Sequence, residues 1–165
     1  MATVFYRVHH EGSQAEYSEL DGFKAKSKIR GDLRSLLRDL TSRGQIVRHF
    51  KNHSNRVLVD TALISMCSSP EITLERALRE RNEAVIYEIH PWKATVRFEY
   101  RGSRELARRI SSLTGKAAVE YQYWAQLEQE FVAFNQIPRE AIVRCWSVEE
   151  FRRSTYQTSG TGWTL

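Results

Sequence analysis

Apolar residues fall in short runs separated by turn residues, with stretches of helical spacing between them. Val4 to Val8 reads as a strand that carries one charge, Arg7; inside an apolar strand it turns to solvent or meets a ligand. His9 and His10 read as loop histidines, and a polar loop runs to about Lys28 with Gly22-Phe23 in it. Ile29, Leu33, Leu36, Leu37 and Leu40 keep one face of a helix, ended by Gly44, and Ile46, Val47 and Phe50 suggest a second short one. The next apolar run, Val57 to Ile64, ends at Ser65. Ser69 before Pro70 is a helix start, with Leu74, Ala77 and Leu78 as its apolar stripe. Ala84 to His90 and Ala94 to Tyr100 read as strands, the second with Val96, Phe98 and Tyr100 on one face. Leu106, Ala107, Ile110 and Leu113 mark another helix that stops near Gly115.

Lys116 to Gln126 is aromatic and reads as a helix, with a loop over the site as the other reading. Phe131–Phe134 and Ala141–Trp146, parted by the turn Asn135–Arg139, read as two strands of a hairpin or meander. Glu128 and Glu130 open the first of them and share a face, either as a solvated strand end or as a site. Ser147 and Glu150 form a capping box for a helix over Val148–Thr155, and a loose tail follows. Strands and helices do not alternate regularly, so the expected class is α+β, in one domain over 1–165 with its core at about 4–155.

The net charge is +5, and 19 of the 25 basic residues are Arg, a surface suited to phosphates or nucleic acid. Clustered Arg104, Arg108 and Arg109, with Arg152 and Arg153, are where such binding is expected. The two cysteines, Cys67 and Cys145, fit no metal spacing or disulfide framework and read as buried free thiols of a reducing compartment. No secretory signal and no membrane span is visible, so an intracellular location is expected. A metal-dependent hydrolase built on His9, His10, His49, His53 or His90 lacks any HExxH-like spacing, and no metal is expected.

Three motifs in order carry a resemblance: Phe5-Tyr6-Arg7-Val8, then Leu63-Ile64-Ser65-Met66-Cys67-Ser68-Ser69, then Glu128-Gln129-Glu130 with its following apolar run and Ile137-Pro138. With Tyr17 and Asp21-Gly22-Phe23, the chain resembles the Arg–Ser–Glu branch of the ADP-ribosyltransferase superfamily, and looks most like a group of uncharacterised fungal domains assigned to that fold. The resemblance implies a split, mixed β-sandwich with flanking helices and a central cleft for NAD. It implies that Arg7, Val8, Ser65, Ser68 and Glu130 contact NAD and that Glu130, Glu128, Arg7 and Ser65 carry the reaction. Arg7 would bind a phosphate or ribose, Ser65 the nicotinamide-side ribose, and Glu130 its 2′-hydroxyl. Glu128 would orient or deprotonate an acceptor such as an arginine. The family's Ser-Thr-Ser reads Ser65-Met66-Cys67 here, with Ser68 as a reserve for Ser65. The implied function is cleavage of the nicotinamide–ribose bond and transfer of ADP-ribose to a protein or other acceptor. NAD hydrolysis is the nearest variant. A non-catalytic, Arg-rich domain that binds nucleic acid or a protein is the competing reading. Tyr121, Tyr123 and Trp124 would stack on the nucleotide or fill the core.

Overall fold

A computed structural model describes residues 3–31, 40–54, 60–80, 84–114 and 128–158. The strands are β1 (Phe5–His9), β2 (Ala15–Ser18), β3 (Gly22–Ala25), β4 (Leu63–Cys67), β5 (Val85–Ile89), β6 (Tyr100–Gly102), β7 (Glu130–Phe134), β8 (Gln136–Pro138) and β9 (Ile142–Ser147). The helices are α1 (Leu40–Ser54), α2 (Pro70–Arg79), α3 (Ser103–Thr114) and α4 (Val148–Thr158). Six strands form one sheet in the order β6-β7-β4-β1-β5-β9, and three form a second in the order β2-β3-β8. The described pairings are antiparallel.

The large sheet is the middle layer, and the pleat divides its side chains between two cores. Leu63, Val132 and Phe134 go to the helix side, against Ile46 and Phe50 of α1 and Leu106 and Ile110 of α3. Tyr6, Val8 and Ile86 meet Leu74 and Ala77 of α2 and Phe151 of α4 on that same side. Phe5, Ile64, Met66 and Ala133 face the small sheet, where Phe23, Ala25 and Ile137 cover them. Because both its faces are covered, β4 is apolar almost throughout instead of alternating. The sheet is split beside it. β1 pairs with β5 from Phe5 to His9, but with β4 only at Tyr6↔Cys67.

Both predicted caps form. Ser69 Oγ accepts from Ile72 N at 3.2 Å before Pro70, and Ser147 and Glu150 close a reciprocal box through Ser147 N to Glu150 Oε2 at 2.9 Å and Glu150 N to Ser147 Oγ at 3.3 Å. Other expectations are corrected. α1 runs through Gly44, so Gly44 ends no helix and Ile46, Val47 and Phe50 share one with Leu40; positions 32–39 of the expected first helix lie outside the described residues. Leu78 is exposed, since the buried side of the helix is made by Thr73, Leu74 and Ala77. Of Ala94–Tyr100 only Tyr100 is strand, where it opens β6, and Val96 faces outward while Phe98 is buried. β7 and β9 are not a hairpin: β8 crosses to the small sheet between them, and β9 returns at the far edge beside β5. The last helix continues to Thr158. Cys67 is buried, but Cys145 is exposed, because β9 is an edge strand with an open outer side.

Gly22 is where the small sheet comes closest to its own backbone. It has φ +82°, and a Cβ there would lie 2.3 Å from the Ile137 carbonyl oxygen and 2.7 Å from Arg139 N. Neither neighbour is a side chain that could swing aside. Gly22→Ala is therefore expected to cost roughly 2 kcal/mol or more in a urea titration, with β3 and β8 forced apart.

Candidate active site

Arg7 occupies the split. The strand alternation sends it away from Tyr6 toward the small sheet, where its guanidinium lies 4.9 Å from the centre of the Phe23 ring. One terminal nitrogen donates to the Ser65 carbonyl oxygen at 2.8 Å, bridging β1 to β4 where the ladder has ended. The residue is 7% exposed. No carboxylate lies within ion-pair distance of it among the described residues, and its Nε is buried without a hydrogen-bond partner there. Burial pushes its pKa down to about 10. A cation held out of water with donors to spare is a costly arrangement that an anion relieves. The solvent-facing alternative for Arg7 is thus overturned.

Ser65 lies in the middle of β4, not at a strand end. Its Oγ is 2.8 Å from His53 Nε2, at the end of α1. On the other side of that ring, Nδ1 is 3.5 Å from Thr61 Oγ1, and the Thr61 hydroxyl donates to the Leu63 carbonyl. Thr61 therefore receives the His53 Nδ1–H, and Nε2 accepts from Ser65. Ser65 Oγ then meets any ligand as an acceptor. Burial, followed by the charges of Arg7 and Arg76, lowers the His53 pKa to about 4, so the ring is neutral at physiological pH.

Glu130 starts β7 opposite Cys67, so the pleat sets it on the same face as Ser65, one diagonal step of about 7 Å away. It is 8% exposed. Arg76 of α2 brings Nη2 to 3.7 Å from its Oε2, an ion pair longer than a hydrogen bond. Arg7, Ser65 and Glu130 therefore stand on two neighbouring strands and the strand beyond, but only the latter two share a face; Arg7 reaches Ser65 through its carbonyl. Glu128 is elsewhere. It precedes the strand in a short helical turn, is exposed, and pairs with Arg104 of α3. The two acids thus do not share a face, because residue 128 is not yet in the pleat. Ser68 donates to the Gln129 side chain at 2.7 Å, tying the end of β4 to the start of β7. Val8 packs on the helix side beneath α2 and α4.

The residues that spacing did not reveal are His53, Arg76 and the aromatic wall around Arg7. His9 is no loop histidine: it closes β1, with its ring 5.3 Å from Phe23. Burial, then Arg7 and His10, lower its pKa to about 4. Tyr17 and Tyr87 stack beside Phe23, with ring centres 4.5 Å apart. Only the Tyr17…Gly22-Phe23 segment signalled this wall in sequence. Tyr121, Tyr123 and Trp124 lie outside the described residues. The remaining histidines serve separate local partners, His49 the Ala62 amide, His90 Glu88, and His10 Glu80.

Residues 1–151 match the family described as Domain of unknown function (DUF7587), and the chain belongs to that family. No curated protein matches it in sequence. Among solved structures it is similar to EcPltA, an ADP-ribosyltransferase-like protein, with a TM-score of 0.55 and 16% identity over 87% of this chain and 74% of that one. At that identity the likeness is one of fold.

Proposed function

We propose that this member of the family binds NAD where β1 and β4 part, cleaves the nicotinamide–ribose bond and passes ADP-ribose to an acceptor. The observation that carries the reading is Arg7: a buried guanidinium with an unused Nε and no carboxylate beside it among the described residues. A diphosphate supplies the charge and the acceptor oxygens that it lacks. Ser65, oriented by a neutral His53, suits a ribose hydroxyl as hydrogen-bond acceptor. Glu130, on the same face, suits the neighbouring 2′-hydroxyl and stabilises positive charge as the bond to nicotinamide breaks. Phe23, Tyr17 and Tyr87 offer an aromatic wall for a planar ring. Glu128 is remote from Glu130 by its pairing with Arg104, so acceptor activation by Glu128 requires that surface pair to open.

The test is binding. NAD at about 100 times its Kd stabilises the fold by about 2.7 kcal/mol, which raises Tm by ~5–10 °C in a domain of this size. Arg7→Ala is expected to abolish that rise, measured against its own Tm without NAD. An unchanged rise in the variant would remove Arg7 from the site.

A further inference from the structure

A second charged feature lies beyond β3. From Lys24 to Arg30 the chain alternates: Ala25 and Ile29 are buried, while Lys24, Lys26, Lys28 and Arg30 are exposed. The segment is not strand past Ala25, yet it is held. Ala25 N donates to the Asn135 carbonyl at 2.8 Å, and Ser27 N to the Thr61 carbonyl at 3.4 Å. The Asn135 side chain brackets Ile29, accepting from its N–H and donating to its carbonyl, both at 2.9 Å. Asn135 holds φ 61°, a left-handed conformation that asparagine tolerates, and this aims its amide at Ile29.

Beside this ribbon is a cleft of about 410 Å³, and Lys24, Lys28 and Arg97 are among the residues that line it. Among the described residues the acids nearby are few. Asp21 pairs with Lys24 at 2.8 Å, Glu16 stands opposite Lys24 in the ladder, and Glu99 lines the cleft. Lys26, Lys28, Arg30 and Arg97 have no carboxylate within ion-pair distance among the described residues. The cations are strung along the chain instead of converging on one point, which fits a repeating anion better than a single phosphate. A cleft lined by cations suits a strand entering it, whereas a lipid surface needs a flat or convex face.

We propose that the Lys24–Arg30 ribbon and Arg97 bind the phosphodiester backbone of a nucleic-acid strand. This surface differs from the Arg104–Arg109 and Arg152–Arg153 patches, and its role stands whether or not the domain cleaves NAD. Backbone binding of this kind is carried by counterion release and weakens linearly in log–log with salt.

The experiment is anisotropy of a short fluorescent oligothymidine at low salt, repeated as salt is raised. About four phosphate contacts on a single strand give a log–log slope near −3. The double variant K26E/K28E, and Arg97→Gln by itself, are compared with R152E/R153E on α4. The ribbon residues are exposed, and melting curves check that each variant folds. The expected result is a loss of about tenfold or more for K26E/K28E with a shallower salt slope, and a change within about twofold for R152E/R153E. Absence of binding at low salt, equal losses in the two double variants, or losses confined to R152E/R153E would overturn the proposal. So would equal affinity for a polyglutamate peptide of matched charge.

Discussion

Glu130→Gln is expected to lower NAD cleavage by about 100- to 1,000-fold with little change in KM, since a fixed charge that acts on the developing cation is lost while the hydrogen-bonding shape is kept. Glu130 is buried and opposite Cys67 in the sheet, so an isosteric amide fits the same space. Arg76 then loses its acidic partner, and that separates this variant from a surface change. Glu128→Gln provides the contrast. Glu128 is exposed on Arg104, so its loss is expected to leave nicotinamide release within about threefold and to act, if anywhere, on transfer to the acceptor. Equal loss in both variants would mean that the two acids work as a unit, against their placement on different elements.

The second large effect is on stability in acid. His9 and His53 both titrate near pH 4 in the folded chain, chiefly because burial disfavours the charged ring. In the unfolded chain they titrate near 6.5. The unfolded state therefore takes up protons first as pH falls, so stability is full above about 6.5, declines down to about 4, and does not change further on their account below that. Each such group tilts stability by at most about 1.4 kcal/mol per pH unit within that window. Asp21, Glu149 and Glu150, held low by Lys24, Arg152 and Ser147 respectively, add their own losses at lower pH and are exposed. Melting curves from pH 7 to pH 4 should show the decline, and His53→Gln, which can still bond Ser65, should flatten part of it. Parallel curves for the two proteins would show that His53 is not the buried neutral group described.

The legible part of this fold was where local chemistry decides. Ser69-Pro70 and Ser147…Glu150 each hold their helix start by a side-chain bond to a nearby amide, and both were visible as spacing. Periodicity was reliable where one face alone is buried, as at Leu106, Ala107 and Ile110. It misled where tertiary contacts intervene. Gly44 sits in a helix whose stability comes from Ile46 and Phe50 in the core. The apparent hairpin failed because Asn135, in a left-handed conformation, sends β8 to the other sheet. For the site, Arg7, Ser65 and Glu130 stand in three ordered motifs of the sequence, and the fold brings them to adjoining strands. That Glu128 and Glu130 part company turns on one residue of strand boundary. His53 and Arg76 come from helices whose sequence pattern says only that they are amphipathic or basic; their approach to Ser65 and Glu130 is a product of packing.

The most direct test of the account is free nicotinamide, quantified after the wild-type protein is incubated with NAD. Release above the protein-free blank, at a rate proportional to protein concentration, is the predicted result. The acceptor is then found by following where the ADP-ribose goes. No release, together with no NAD-induced rise in Tm, would contradict both cleavage and binding, and would leave Arg7 as a buried cation with a purely structural bond to Ser65.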